Sequence, residues 1–307
     1  MDRDEVVAAL RAIPAFAATA DAAEVAPLGG LTNRVFRVSG AGEPFVLRLP
    51  GPGTETYIDR AVEAHNAAAA ARAGVTPEVL FVDPASGVLA TRHVEGVTMS
   101  PALFAARPGA PARAAAALRA LHDSGETFRF RFELFAMIDD YLGLLDRLGA
   151  ALPEGYHGVV AEAGAVRAAL AAHPAPLAPC HCDPLCENFI DAGERMWLVD
   201  WEYSGMNDPL WDLGDISVEA GFDPAQDREL IEAYFGGAPT AAAAGRVVIY
   251  KAMCDLLWTL WGLIQHAHAN PADDFWAYAC NRFARCRALM ASAEFAASVA
   301  AVRANAT

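Results

Sequence analysis

Four residues in this chain have the types and spacing to do chemistry together: His181, Asp183, Asn188 and Asp200. The first three form a His-x-Asp-x-x-x-x-Asn pattern, and Asp200 follows 12 residues after Asn188. Such a set suits phosphoryl transfer. That reaction needs one carboxylate to orient an attacking hydroxyl and accept its proton, and oxygen ligands that hold Mg²⁺ against phosphate charge. Asp183 suits the base, and Asn188 and Asp200 suit the metal ligands. Two short β-type runs, 189–190 and 197–199, flank the turn Asp191-Ala192-Gly193-Glu194, so a hairpin would carry Asn188 and Asp200 to one place. Cys180, His181, Cys182 and Cys186 offer an alternative, a zinc site of thiolates and imidazole. Ligands at such short spacing, with no second Cys/His pair nearby, make a poor structural site. Buried filler is the simpler role for these cysteines.

The elements that must position these groups change character near residue 95. Before it, β-branched and aromatic runs at 35–38, 45–49, 79–82 and 88–91 read as strands, interrupted by one helix over 56–73 that stops at Gly74. After it, helices are expected over 112–123, 133–148, 159–172, 209–220, 225–235, 241–269 and 272–291. The expected fold is α+β and two-lobed: a small β-rich lobe over 1–94 and a larger helical lobe over 95–307. The 307 residues carry a formal charge of −15. That argues against a nucleic-acid or anionic-membrane binder, which needs a basic patch. Six cysteines are too few for a disulfide scaffold. The start is acidic, unlike a secretory signal, and the most apolar stretch, 252–264, is shorter than the ~20 residues of a bilayer span and contains Asp255. A cytoplasmic protein with reduced thiols and no membrane insertion is expected. Of the 23 basic residues, Lys251 is the single lysine, so a phosphate-binding cation elsewhere in the chain must be arginine.

The motif order resembles that of the choline/ethanolamine kinases, in the aminoglycoside-phosphotransferase branch of the protein-kinase-like fold. His181-x-Asp183-x-x-x-x-Asn188, followed by Val199-Asp200-Trp201-Glu202-Tyr203, looks like the family's catalytic and metal loops. Gly29-Gly30-Leu31-Thr32-Asn33 looks like its nucleotide loop, and the segment around Arg48 like its third strand. Trp211-Asp212-Leu213-Gly214-Asp215 and Trp258-x-x-Trp261-x-x-x-Gln265 also match. The resemblance implies an ATP- and Mg²⁺-dependent kinase acting on the hydroxyl of a small cationic amino alcohol, choline or ethanolamine. The alternatives are another hydroxyl kinase of the fold (for an aminoglycoside, thiamine or a sugar) and a catalytically inactive nucleotide- or metabolite-binding relative. Self-association as a homodimer is compatible with any of them.

On the nucleotide side, Gly29, Gly30, Thr32 and Asn33 would bring backbone N–H groups to phosphate oxygens. Protein kinases place a lysine on the third strand, paired with a helix glutamate. Here Arg48 stands there, with Glu63 as the expected partner and Glu55 as the alternative. The adenine edge is expected at the lobe junction, near Arg92 and Val94. His181 is grouped with the catalytic loop as its brace, and Asp212 as a second brace. On the acceptor side, Trp258 and Trp261 share a helix face. A Trp stripe at helical spacing is ordinarily core; the resemblance assigns this one to the acceptor's ammonium, held by cation–π attraction. It adds Tyr278 to that wall and Glu219 as a nearby carboxylate. Ala220 stands where the family usually has an aromatic, with Phe222 close by in sequence.

Overall fold

A computed structural model of the chain describes residues 2–30, 33–40, 42–51, 53–54 and 58–305. In β2 (Arg34–Ser39), Phe36 and Val38 are buried while their neighbours reach solvent, so one face of the strand must meet an apolar surface. β2 pairs antiparallel with β1 (Glu24–Gly29) and with β3 (Phe45–Leu49). The sheet continues through β5 (Leu89–Arg92) to β4 (Val79–Val82), in the order β1-β2-β3-β5-β4. Helix α1 (Asp2–Ala12) supplies the apolar surface: Val6, Val7 and Leu10 share a core with Phe36, Val38, Phe45 and Leu47.

Helix α2 (Arg60–Arg72) begins four residues later than its sequence suggests. Asp59 caps it, accepting from the backbone N–H groups of Ala61 and Val62 at 2.9 and 3.1 Å. Such a cap is worth about 1 kcal/mol. Ala67, Ala69 and Ala70 of α2 pack into the larger core of the helical lobe. Asn66, fully buried, donates to the carbonyls of Arg129 and Ser204 and accepts from the Arg129 N–H. The helix that precedes the lobe junction in sequence is thus bonded to the far side of it.

In the helical lobe, β6 (Val97–Thr98), β8 (Phe189–Asp191) and β9 (Met196–Leu198) form one small sheet, and β7 (Ala178–Cys180) with β10 (Gly205–Asn207) forms another. The expected hairpin is present, with Ile190 opposite Trp197. Its turn is held by buried Asp191, which accepts from Arg107 Nε at 2.8 Å and Arg113 Nη2 at 2.7 Å. The helices are α3 (Pro101–Ala106), α4 (Ala110–His122), α5 (Leu134–Arg147), α6 (Tyr156–Glu162), α7 (Gly164–Ala172), α8 (Leu210–Glu219), α9 (Pro224–Phe235), α10 (Ala241–Ala267), α11 (Phe275–Met290) and α12 (Ala293–Ala304). Where one helix is expected over 159–172 there are two, divided at Ala163 beside Gly164, a poor helix former. The first starts early because Tyr156 is buried and its hydroxyl donates to the Leu256 carbonyl at 2.6 Å. Helices α3 and α12 are additions to the expected set.

Helix α10 is the axis of this lobe. It is long and apolar enough to cross a membrane, yet 83% of its apolar window is buried, against α5, α8, α11 and α12. Lys251, on α10, pairs with Asp227 of α9 and so belongs to this packing. The α8–α10 contact depends on Gly214. A Cβ there would lie 2.7 Å from the Tyr250 Cβ and 2.9 Å from the Lys251 N and Val247 O backbone atoms. Backbone cannot step aside as a side chain can, so Gly214→Ala is expected to cost about 1–3 kcal/mol. Urea unfolding checks this, and an unchanged midpoint would show that the helices are not in such close contact.

Candidate active site

Strand β7 delivers the chain into the catalytic loop. Cys182 takes a left-handed conformation, φ +66°, which turns the loop before Asp183. A non-glycine residue there costs on the order of 1 kcal/mol and persists only when its surroundings over-determine it. They do. The buried carboxylate of Asp212 accepts from the His181 N–H at 2.7 Å and the Cys182 N–H at 2.8 Å, while the Trp211 indole N–H donates to the Cys182 carbonyl at 3.0 Å. His122 Nε2 reaches the same carboxylate at 3.0 Å. The imidazole of His181 lies against Trp201 and bonds the Val199 carbonyl at 2.9 Å. Burial lowers the pKa of His181, so neutral Nε2–H donates. His181 therefore ties the catalytic loop to the strand that leads into Asp200, the bracing role expected of it.

Asn188 donates through Nδ2 to the Asp183 carbonyl at 2.9 Å, which leaves its amide oxygen as the atom suited to a cation. Asp200 also has a left-handed backbone, φ +69°. Its side chain is about a third exposed, but Oδ1 is enclosed without a hydrogen-bond donor and lies 3.5 Å from Arg48 Nη1. Burial, then repulsion from Glu202, pushes its pKa up to about 7 although Arg48 opposes this. An enclosed carboxylate oxygen lacking a donor, with the carboxylates of Glu63 and Glu202 close by, fits a hard divalent cation.

The expected Arg48–Glu63 ion pair is formed, and both side chains are buried. Glu55 lies outside the described residues. Three further residues join the pair. Arg60 Nη1 bonds Glu63 at 2.8 Å and also Glu202, and Asn33 Nδ2 donates to Glu202 at 2.8 Å. Three carboxylates thus face two guanidiniums, a small negative surplus that a metal ion would offset. Gly29 and Gly30 sit where β1 turns toward β2, with φ +103° and +129°. A Cβ on Gly30 would stand 2.1 Å from the Asn33 carbonyl oxygen, so only glycine fits. Thr32 lies outside the described residues.

Arg92 ends β5 at the lobe junction. Its N–H donates to the Glu78 carbonyl, and its side chain pairs with Glu43 and Glu78 on the exposed surface, so it fastens the sheet. Val94 is half-buried just past β5.

The acceptor side is an aromatic wall. Tyr203, three residues beyond Asp200, packs edge-on to Trp258 and accepts from the Trp261 indole N–H at 2.9 Å. Trp261 also meets Phe275 and Tyr278 at ring centroids of 5.6 and 5.8 Å. Trp258 is only 3% exposed and donates to buried Asp215, so it stands behind half-buried Trp261. Phe222 packs on Phe104 instead. Glu219 is paired with Arg282, whose guanidinium carbon lies 4.6 Å above the Tyr278 ring. Asp183 senses both sides of the site. Burial, then the charges of Glu219 and Asp200, raise its pKa well above the carboxylate range, while Arg282 lowers it.

The zinc alternative does not assemble. The thiols of Cys180 and Cys182 donate to backbone carbonyls, and burial raises their pKa values well above the usual thiol range. His181 is turned toward Val199. The residues missed in the sequence are Arg60, Glu202, Tyr203 and Arg282. A carboxylate two residues after Asp200 and an arginine one helical turn after Tyr278 were available signals.

Comparison with known proteins bears on this geometry. A family model described as the phosphotransferase enzyme family matches residues 24–244. The chain is 64% identical to a solved choline/ethanolamine kinase family protein from Mesorhizobium loti, with a TM-score of 0.91, covering 99% of this chain and 100% of that one. It is 26% identical to choline kinase LicA from Streptococcus pneumoniae, with a TM-score of 0.73, covering 87% and 93% of the two chains. A structure of LicA in complex with AMP is also 26% identical, with a TM-score of 0.72 and coverage of 87% and 91%.

Asp212→Ala would strand two backbone N–H groups and an imidazole in a dry interior, at a cost of about 3 kcal/mol. Hydrogen exchange should show the His181 and Cys182 amides losing protection first. Retained protection at both would mean that the loop is held by something else.

Proposed function

Because this chain belongs to the phosphotransferase enzyme family, we propose that it transfers the γ-phosphate of ATP to the hydroxyl of a small amino alcohol, choline first and ethanolamine next. One observation carries the reading. Asp183 sits in the loop that the Asn188 amide bonds, and burial of its carboxyl, then the charges of Glu219 and Asp200, raise its pKa. A group placed there can take a proton from a hydroxyl that lies between a nucleotide and an ammonium-binding wall. The likeness to a choline/ethanolamine kinase family protein over nearly the whole chain, and to LicA bound to AMP, supports both halves.

Arg48 and Glu63 reproduce the strand-cation and helix-glutamate pair that must be in place in a competent protein kinase. Arg48 would direct its fork at phosphate oxygens, and arginine suits that better than a point charge. Asn188 and Asp200 would hold Mg²⁺, with Glu202 beside them; the ion neutralises charge on the phosphates. The acceptor oxygen forms a bond to the γ-phosphorus as the bond to the bridging oxygen breaks. The hydroxyl proton passes to the Asp183 carboxylate, which needs to orient it more than to attack it. The electron-rich faces of Trp261 and Tyr278 would attract the ammonium end, with Trp258 and Tyr203 keeping the rings in place.

Turnover tested by ADP release against choline, ethanolamine, thiamine and an aminoglycoside should favour the amino alcohols. Acceptor-independent hydrolysis, or use of the aminoglycoside alone, would overturn the reading. Asp183→Asn should lower turnover by about 10²–10⁴-fold. The same variant should be more stable than the parent. A carboxyl with a raised pKa favours the folded state at low pH and burdens it as pH rises through that pKa. Thermal unfolding at pH 8 should therefore show a higher midpoint for Asp183→Asn, with the gap narrowing toward the ordinary carboxyl range. Trp261→Ala should raise the acceptor KM about tenfold and leave the ATP KM nearly unchanged, whereas Trp258→Ala should chiefly lower stability. Equal effects of Trp261→Ala on both substrates would remove it from the acceptor wall.

A further inference from the structure

The acceptor wall contains a cation of its own. Arg282, on α11, is 4% exposed. One terminal nitrogen bonds Glu219 of α8, and the other reaches Asp255 of α10 at 3.2 Å. Its plane covers one face of Tyr278, 4.6 Å from the ring centre. Asp255 is shared with Arg285, whose Nε lies 3.1 Å away. Two carboxylates are therefore matched by two guanidiniums. The remaining carboxylate on this wall, Asp215, is fully buried and receives the Cys254 thiol at 2.8 Å and the Trp258 indole N–H at 3.4 Å.

This pairing has a chemical consequence. A primary ammonium carries three N–H donors, and each must find an acceptor when water is excluded. The carboxylate best placed to receive them, Glu219, already gives Oε1 to Arg282, and its charge is matched by that guanidinium, which weakens it as an acceptor. A quaternary ammonium has no N–H to satisfy and needs only apolar contact and electron-rich rings, such as half-buried Trp261 and its neighbour Tyr278. We propose that Arg282 sets acceptor selectivity: by bonding Oε1 of Glu219 and matching its charge, it weakens the hydrogen-bond acceptor a primary amine requires and so favours the quaternary ammonium. Arg282 is a positioning residue in this account. It acts through Glu219 and Tyr278 and does not touch the reacting atoms. The inference rests on the amino-alcohol reading above.

The test is a ratio, kcat/KM for choline over kcat/KM for ethanolamine, measured with saturating Mg-ATP. In the parent enzyme, kcat/KM should rise through ethanolamine, N-methylethanolamine, N,N-dimethylethanolamine and choline as each methyl replaces an N–H. Arg282→Gln frees Glu219, and the ratio should fall about tenfold through gained ethanolamine use. Arg282→Lys keeps the charge against Glu219 and should hold the ratio nearer the parent value. A general loss of packing would lower both acceptors together and leave the ratio unmoved. An unchanged ratio in Arg282→Gln would overturn the inference. If that variant does not fold, the methyl series decides: a parent enzyme that prefers ethanolamine overturns it too. Should the parent phosphorylate none of the series, the amino-alcohol reading itself fails, which is a separate outcome from a flat ratio.

Discussion

The carboxylate of Asp212 is the constraint on which the catalytic loop depends. It receives two consecutive backbone N–H groups and one imidazole in a dry interior, and so keeps Cys182 in a conformation that its side chain disfavours. The direction of Asp183 follows from that kink. Asp212 lies on α8, which approaches α10 closely because Gly214 has no side chain. Asp183, the proposed base, is thereby referenced to the helix that carries Trp258 and Trp261. In the proposed reaction, chemistry at one end of the site and recognition at the other would share a single rigid mount.

Charge is distributed along the site in a consistent way. On the side proposed for the phosphates, Arg48 and Arg60 face Glu63, Asp200 and Glu202, so a metal ion arriving with the nucleotide would meet a small negative surplus. On the acceptor side, Arg282 and Arg285 face Glu219 and Asp255. Between the two lies Asp183, whose carboxyl is pushed well up by burial and then by the charges of Glu219 and Asp200. Burying like charges costs stability. That cost falls where carboxylates serve the reaction, as expected of a functional site.

Local features of this arrangement were legible in the sequence, and distant ones were not. Asp183, Asn188 and Asp200 could be read because a short hairpin leaves little freedom in where its two ends go. Arg48 and Glu63 could be read because a strand and the helix after it offer few partners. The strands of the sheet and most helices of the larger lobe follow from periodicity, with errors at ends that caps decide, as Asp59 does for α2. By contrast, Asn33 and Glu202 are 169 positions apart, and nothing local announces their bond. Glu219 looked available for an acceptor cation because its partner, Arg282, lies on a different helix. The surface partners of Arg92, Glu43 and Glu78, are likewise contributed by other turns of the sheet, and nothing local announces them.

The bonding of Asn66 decides which core α2 belongs to. Helix α2 is held to the helical lobe by this buried amide and by an alanine face, whereas β3 belongs to the core shared with α1. The buried Arg48–Glu63 pair therefore spans two cores: its cation is mounted on one and its carboxylate on the other. A single buried ion pair thus registers the sheet against the helical lobe, and any change that weakens it would be felt as a change in how the two cores meet.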